Sequence, residues 1–343
     1  MGEKYNKKFY FLTAFIFILV FFLSGCSKTS SAKLVYTIKD VGSFPDNAMI
    51  TPNGKQLWVT NLLSNNVYVY STLNNKLINI INVGNDPNCI VFDKNGKIAY
   101  VANSESDTIS VINVYTEDIK KTITLPWKAG LNYIVLSPNN KYLYATISGS
   151  GISNVAIIKR NSGKVIKTIS VGNTWSSNLN SIALNSSGTM LYVTDRRKIG
   201  RVYVINTHTN KEVRSIRVGR YPDFALVNPS NNEIYVINHG SNNISVISPL
   251  SFKIVKTLNV VSSPSSIVFS QNGSQAWVTD RRINEVSVIN TVTDKIVQRI
   301  NVGSQPGGIA INPNGKMIYV VNGGKYNPIR SSVLDSSISV ISR

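Results

Sequence analysis

One tetrad, returning seven times at a nearly fixed period, constrains this chain more than any other feature. It reads Trp58-Val59-Thr60-Asn61, Tyr100-Val101-Ala102-Asn103, Tyr144-Ala145-Thr146-Ile147, Tyr192-Val193-Thr194-Asp195, Tyr235-Val236-Ile237-Asn238, Trp277-Val278-Thr279-Asp280 and Tyr319-Val320-Val321-Asn322. A period in this range marks an array of small units, none of which buries its apolar residues alone.

The parts around each tetrad keep one order. In the last unit Val302-Gly303-Ser304-Gln305-Pro306 leads into apolar Gly308 to Ile311, and the turn Asn312-Pro313-Asn314-Gly315 leads into the tetrad run Met317 to Asn322. Asn-Gly between β-prone runs supplies the positive φ angles of a tight hairpin. The same turn recurs as Asn53-Gly54, Asn95-Gly96, Ser187-Gly188 and Asn272-Gly273. Ile244 to Ile247 and Val286 to Ile289 alternate with period two and give a third strand, and the more polar Lys253 to Leu258 gives a fourth, outer one. With no helical period, this predicts an all-β chain: a seven-bladed β-propeller with four antiparallel strands per blade. The last unit ends one strand short at Arg343, while Lys33 to Ile38 at the other terminus matches the fourth strands, so the N-terminal strand is expected to close the last blade.

The tetrad, the upstream Val-Gly-x-x-Pro and the downstream Val-Ser-Val-Ile-Asn resemble the YVTN β-propeller repeat family over residues 33–343. Pro45, Pro87, Pro222, Pro264 and Pro306 keep the register in blades one, two, five, six and seven, whereas blades three and four depart, with Lys128-Ala129-Gly130 in place of Val-Gly and no matching proline. The resemblance implies a seven-bladed propeller, often secreted or surface-attached. It implies no single activity.

The N-terminus reads as an export signal. Lys4, Lys7 and Lys8 precede an apolar run from Phe9 to Leu23 broken only by Thr13, shorter than the roughly 20 residues of a spanning helix. It ends at Leu23-Ser24-Gly25-Cys26, which resembles the bacterial lipobox. Residues 1–25 are therefore expected to be a lipoprotein signal peptide, 26–32 a lipidated Cys26 with a short tether, and 33–343 the propeller, held outside the cytoplasm at the cell surface or in the periplasm. The other cysteine, Cys89, lies in an apolar stretch, so no disulfide framework is available. Loss of the leader takes the formal charge from +19 to +17, a balance that suits anionic partners and that A/T-biased coding also produces.

Alternate loops of a propeller blade emerge on opposite faces. One face gathers the loops after the tetrads and the Val-Gly-x-x-Pro connectors, and there Asp195-Arg196-Arg197, Arg220-Tyr221, His239 and Asp280-Arg281-Arg282 fall in neighbouring blades. Arginine's planar fork suits phosphate or carboxylate. Arg196, Arg197, Arg220, Tyr221, His239, Arg281 and Arg282 are therefore the candidate anion-binding rim; the competing reading is that each Asp-Arg-Arg neutralises itself. Trp127, Trp175 and Phe44 share this face and are candidates for stacking or for packing between blades. The opposite face carries Lys55, Lys97, Lys211, Lys253 and Lys316 among others and is expected to lie toward the membrane.

Catalytic signals are thin. Of the two histidines only His239 is placed for chemistry; His208 occupies a turn that other repeats make without histidine. No nucleophile motif, zinc spacing or haem motif is present, and none specifies a cofactor or metal. The expected function is a monomeric, membrane-anchored scaffold binding a protein or an anionic ligand. Binding of nucleic acid or an acidic polymer, implied by resemblance to YncE-like proteins, is the alternative. A propeller enzyme, a lactonase or redox-associated subunit using Asp46, Asp86 or Asp223, is the third.

Overall fold

The computed structural model describes residues 31–172, 176–260, 262–327 and 332–343; Cys26 and Trp175 lie outside them. Residues Ser31–Arg343 form one compact unit of seven four-stranded antiparallel sheets. Blade one shows the plan, with strands Pro45–Ile50, Gln56–Asn61, Asn66–Ser71 and Leu77–Asn82 in spatial order. The first strands of all seven blades pack side by side around the axis.

Pleating explains why the tetrad repeats. Successive residues of a strand point to opposite sheet faces, so position one faces the following blade and position two the preceding one. Trp58 packs with Ile90, Ala99 and Val101 of blade two, and Val59 with Tyr319 and Val321 of blade seven. Tyr235 meets Phe269 of blade six edge-on at a centroid distance of 5.0 Å, while Val236 packs with Tyr192 and Val204 of blade four. Each tetrad therefore supplies half of two interfaces, and the first-position aromatics are all buried.

Position four forms a latch. Asn103 Nδ2 donates to Thr108 Oγ1 and Ser110 Oγ at 3.0 Å, and Asn238 and Asn322 repeat the pattern on Ser245 and Ser339. The amide fills the space where a side chain on the Val-Gly glycine would stand. A Cβ on Gly303 would lie 2.5 Å from Asn322 Nδ2, and one on Gly42 2.3 Å from Asn61 Cγ. The glycine and the asparagine are thus one device. Blade three has Ile147 at this position and dispenses with it, and its two middle strands lengthen to Tyr142–Gly149 and Ile152–Lys159.

Closure follows the expected route. Lys33–Ile38 pairs antiparallel with Ser337–Ser342, from Lys33 against Ser342 to Ile38 against Ile338. Buried Ile38 joins Leu57, Tyr70, Tyr319 and Ile338 in the core between blades seven and one. Blade seven also carries a short hairpin, Lys325–Asn327 with Ser332–Leu334.

Candidate functional site

The loops that follow the tetrads are positioned by a backbone bridge that repeats around the ring. The residue before each first-strand proline adopts a left-handed conformation: Phe44, Asp86, Tyr221, Ser263 and Gln305 have φ between 49 and 55°. Its carbonyl then accepts from the residue just after the tetrad, as in His239 N to Tyr221 O and Arg281 N to Ser263 O, both 3.1 Å. Inside this rim lies a second ring, the residue after each proline position: Asp46, Asn88, Asn132, Asn180, Asp223, Ser265 and Gly307. Asn132 Nδ2 donates to Leu179 O at 2.6 Å and Asn180 Nδ2 to Asp223 O at 2.7 Å, tying neighbouring blades together. With its NH2 turned into the wall, each amide is left with its carbonyl oxygen as the group available to the lumen.

The rings open onto a cavity of about 250 Å³ at the channel mouth, with Asp46, Asn88 and Asn132 on one side and Arg196, Asp223 and Arg281 on another. A second cavity, of about 470 Å³, adjoins it across Arg281 and is lined by His239, Ser263, Arg282, Ser304 and Gln305. Burial raises the Asp46 carboxyl; Arg281 opposes this, while Asp86 and Asp223 reinforce it. Burial also raises Asp86, with a smaller push from Glu105. Among the described residues no three His, Cys, Asp or Glu side chains gather closely enough to hold a metal ion.

The two Asp-Arg-Arg turns, equivalent in sequence, have separate fates. In blade four both arginines are engaged: Arg196 Nε donates to Asp223 Oδ1 of blade five, and Arg197 pairs with buried Asp195 and donates to Ser176 Oγ at 3.0 Å. In blade six neither arginine has a carboxylate within salt-bridge distance among the described residues. For Arg281 the reason is the residue in the next blade. Where blade five offers Asp223 to Arg196, blade seven offers Gly307, and a Cβ there would stand 3.4 Å from Arg281 Nη2. Arg281 Nε is buried and has no hydrogen-bond partner.

Arg220 is exposed on the same rim, Tyr221 is 40% exposed, and His239 has Asp223 Oδ2 at 3.6 Å from Nδ1. Trp127 packs against the core between blades two and three, so its role is interblade contact. His208 lies at the opposite end of its blade, beside Ser137 and Gly188. Ser263 escapes notice in the sequence; the one signal for it is its place before Pro264, the rim position.

Residues 200–313 match the family profile described as YncE-like β-propeller, and residues 44–124 match that of the seven-bladed lactonase β-propeller. The chain resembles the YncE-like propellers. No curated protein matches it. Among solved structures, a chain of Kuenenia stuttgartiensis hydrazine synthase is similar with a TM-score of 0.75 at 17% identity, covering 89% of this chain and 97% of that one. At that identity the likeness concerns the fold alone.

Proposed function

We propose that this chain is a lipid-anchored, extracytoplasmic binding propeller that takes an anionic ligand at the arginine side of its channel mouth. The observation that carries the reading is Arg281, a guanidinium lining the cavity with a buried, unpartnered Nε and, among the described residues, no carboxylate within salt-bridge distance, although the Asp46 carboxyl in the same cavity feels its charge. A buried cationic donor without a partner is costly. A carboxylate or phosphate satisfies the fork with two charge-assisted bonds. Arg282 and Arg220 add exposed positive charge on the same rim, and the asparagine carbonyls across the lumen suit a ligand that also carries hydroxyl or amide donors. The anion site is thus narrower than the arc expected from sequence, because Arg196 and Arg197 are spent on carboxylates of the protein.

Nucleic acid is the second reading. The YncE-like match spans the turn bearing Arg281 and Arg282, and exposed Tyr221 beside Arg220 offers a stacking surface. The leader at 1–25, the lipidated Cys26 and a monomeric propeller at 33–343 belong to the same proposal. The strand at Lys33 starts beside Ser342, on the side of the lysine-bearing turns, which supports an orientation with those turns toward the membrane.

Full-length protein extracted in detergent should be titrated with polyphosphate and with a single-stranded oligonucleotide at rising salt. Arg281→Glu/Arg282→Glu should weaken binding of both about 100-fold, whereas Arg196→Glu should change it severalfold at most. Equal binding by Arg281→Glu/Arg282→Glu and the parent would end the anion reading. A preference for the oligonucleotide that survives high salt would favour the nucleic-acid form.

A further inference from the structure

Three side chains contributed by blades five and six meet between the two cavities. Ser263 Oγ lies 3.2 Å from His239 Nε2 and 3.4 Å from Nδ1, so the hydroxyl sits over the imidazole face beside Cε1, and a rotation of the ring about its side-chain torsions would aim Nε2 at it. Asp223 Oδ2 lies 3.6 Å from Nδ1. Arg196 Nε donates to the other oxygen, Oδ1, which fixes the carboxylate and leaves Oδ2 to the imidazole. A hydroxyl, an imidazole and a carboxylate within reach in that order are the parts of an activated nucleophile, and such contacts are often loose before substrate binds.

The backbone supports the arrangement. Ser263 has φ of 54°, and its N–H is held by Asn242 Oδ1 at 2.9 Å. The same left-handed turn occurs at Phe44, Asp86, Tyr221 and Gln305. Serine occupies it in blade six, where the neighbouring blade supplies histidine after the tetrad. Ser263 lines the cavity of about 470 Å³ that Arg281 and Arg282 also line.

We propose that Ser263, His239 and Asp223 form an acyl-transfer site that hydrolyses esters of anionic acids. Ser263 Oγ attacks the ester carbonyl carbon and gives its proton to His239 Nε2. The bond to the alcohol oxygen breaks, and the alcohol leaves with that proton, so the acyl group is now on Ser263. Water then attacks the acyl carbon, its proton passes through Nε2 to the departing Oγ, and the free acid and the original serine result. Asp223 is a positioning residue that acts through His239 Nδ1. The anionic part of the acid is held by Arg281 and Arg282, a selectivity that rests on the binding reading above; the nucleophile itself does not.

The test uses full-length detergent-extracted protein and a fluorophosphonate probe. The expected result is one adduct, on Ser263, absent from Ser263→Ala and formed at least about 100-fold more slowly in His239→Gln. Asp223→Asn should slow labelling and also shift its pH profile, which a merely structural role would not do. No adduct on Ser263, or equal labelling of His239→Gln and the parent, would overturn the proposal. A chromogenic succinate ester should be cleaved faster than the matching acetate ester. Labelling of Ser263 without that preference would overturn the arginine assignment while leaving the nucleophile standing.

Discussion

Replacing Asp280 with asparagine should stabilise this protein at alkaline pH and leave its stability unchanged at acid pH. Asp280 is the fourth residue of the sixth tetrad and fully buried, with Oδ2 accepting from Ser287 Oγ at 2.6 Å. Burial pushes its carboxyl up to about 6, helped by Glu285 and opposed by Ser287, Arg299 and the Ser262 backbone. Because this lies above the ordinary 3.8 of an unfolded aspartate, the folded state holds the proton more tightly. Stability is therefore complete below about pH 4 and is lost as pH rises through about 6, by about 3 kcal/mol in all. Asparagine carries no charge to desolvate, and it is the residue that blades two, five and seven use against the same serine position, at Asn103, Asn238 and Asn322. Its NH2 would face Ser287 and Glu285, turning the repulsion by Glu285 into an acceptor. Thermal unfolding followed by tryptophan fluorescence at pH 4 and pH 8 should show Asp280→Asn melting about 5 to 10 °C above the parent at pH 8 and level with it at pH 4. A variant less stable at pH 8, or a difference that does not move with pH, would refute the reasoning.

Gly307→Asp gives blade seven the carboxylate that blade five has at Asp223; paired with Arg281, it should weaken polyphosphate binding about tenfold or more without loss of fold, read by titration beside a melting curve. Deleting residues 33–40 removes the pairing to Ser337–Ser342 and the burial of Ile38, worth several kcal/mol, and should lower the melting temperature by more than about 10 °C; an unchanged value would contradict closure by this strand. On intact cells a membrane-impermeant thiol reagent should label Arg220→Cys more readily than Lys316→Cys, against a silent background from Cys89, whose thiol burial pushes up to about 12; equal labelling would refute the proposed orientation.

The fold was legible because its signal is local and repeated. An aromatic followed by valine, or by alanine in blade three, states which neighbour each side chain faces, and a fourth strand missing at Arg343 but present at Lys33 states how the ring closes. The latch was half legible, since Val-Gly and the tetrad asparagine both recur, but their contact needs three dimensions. The arginines were misleading for a specific reason. Asp195-Arg196-Arg197 and Asp280-Arg281-Arg282 have the same local chemistry, and what separates Arg196 from Arg281 is one residue of the following blade, Asp223 or Gly307. The meeting of Ser263 with His239 was illegible, because the bridge from rim carbonyl to post-tetrad N–H joins residues of two successive strands, and the hydroxyl then reaches across to the neighbouring blade.

The left-handed rim sets an alphabet for evolution at this mouth. Since the turn is held by backbone bonds and a following proline, side chains there can change without disturbing the blades, but β-branched residues fit positive φ poorly. The five proline-flanked positions hold Phe44, Asp86, Tyr221, Ser263 and Gln305, and neither valine, isoleucine nor threonine is among them. New specificities on this scaffold should therefore arise by drawing acids, amides, serine, glycine and aromatics into these sockets, so the reachable ligands are polar or ring-bearing rather than purely aliphatic.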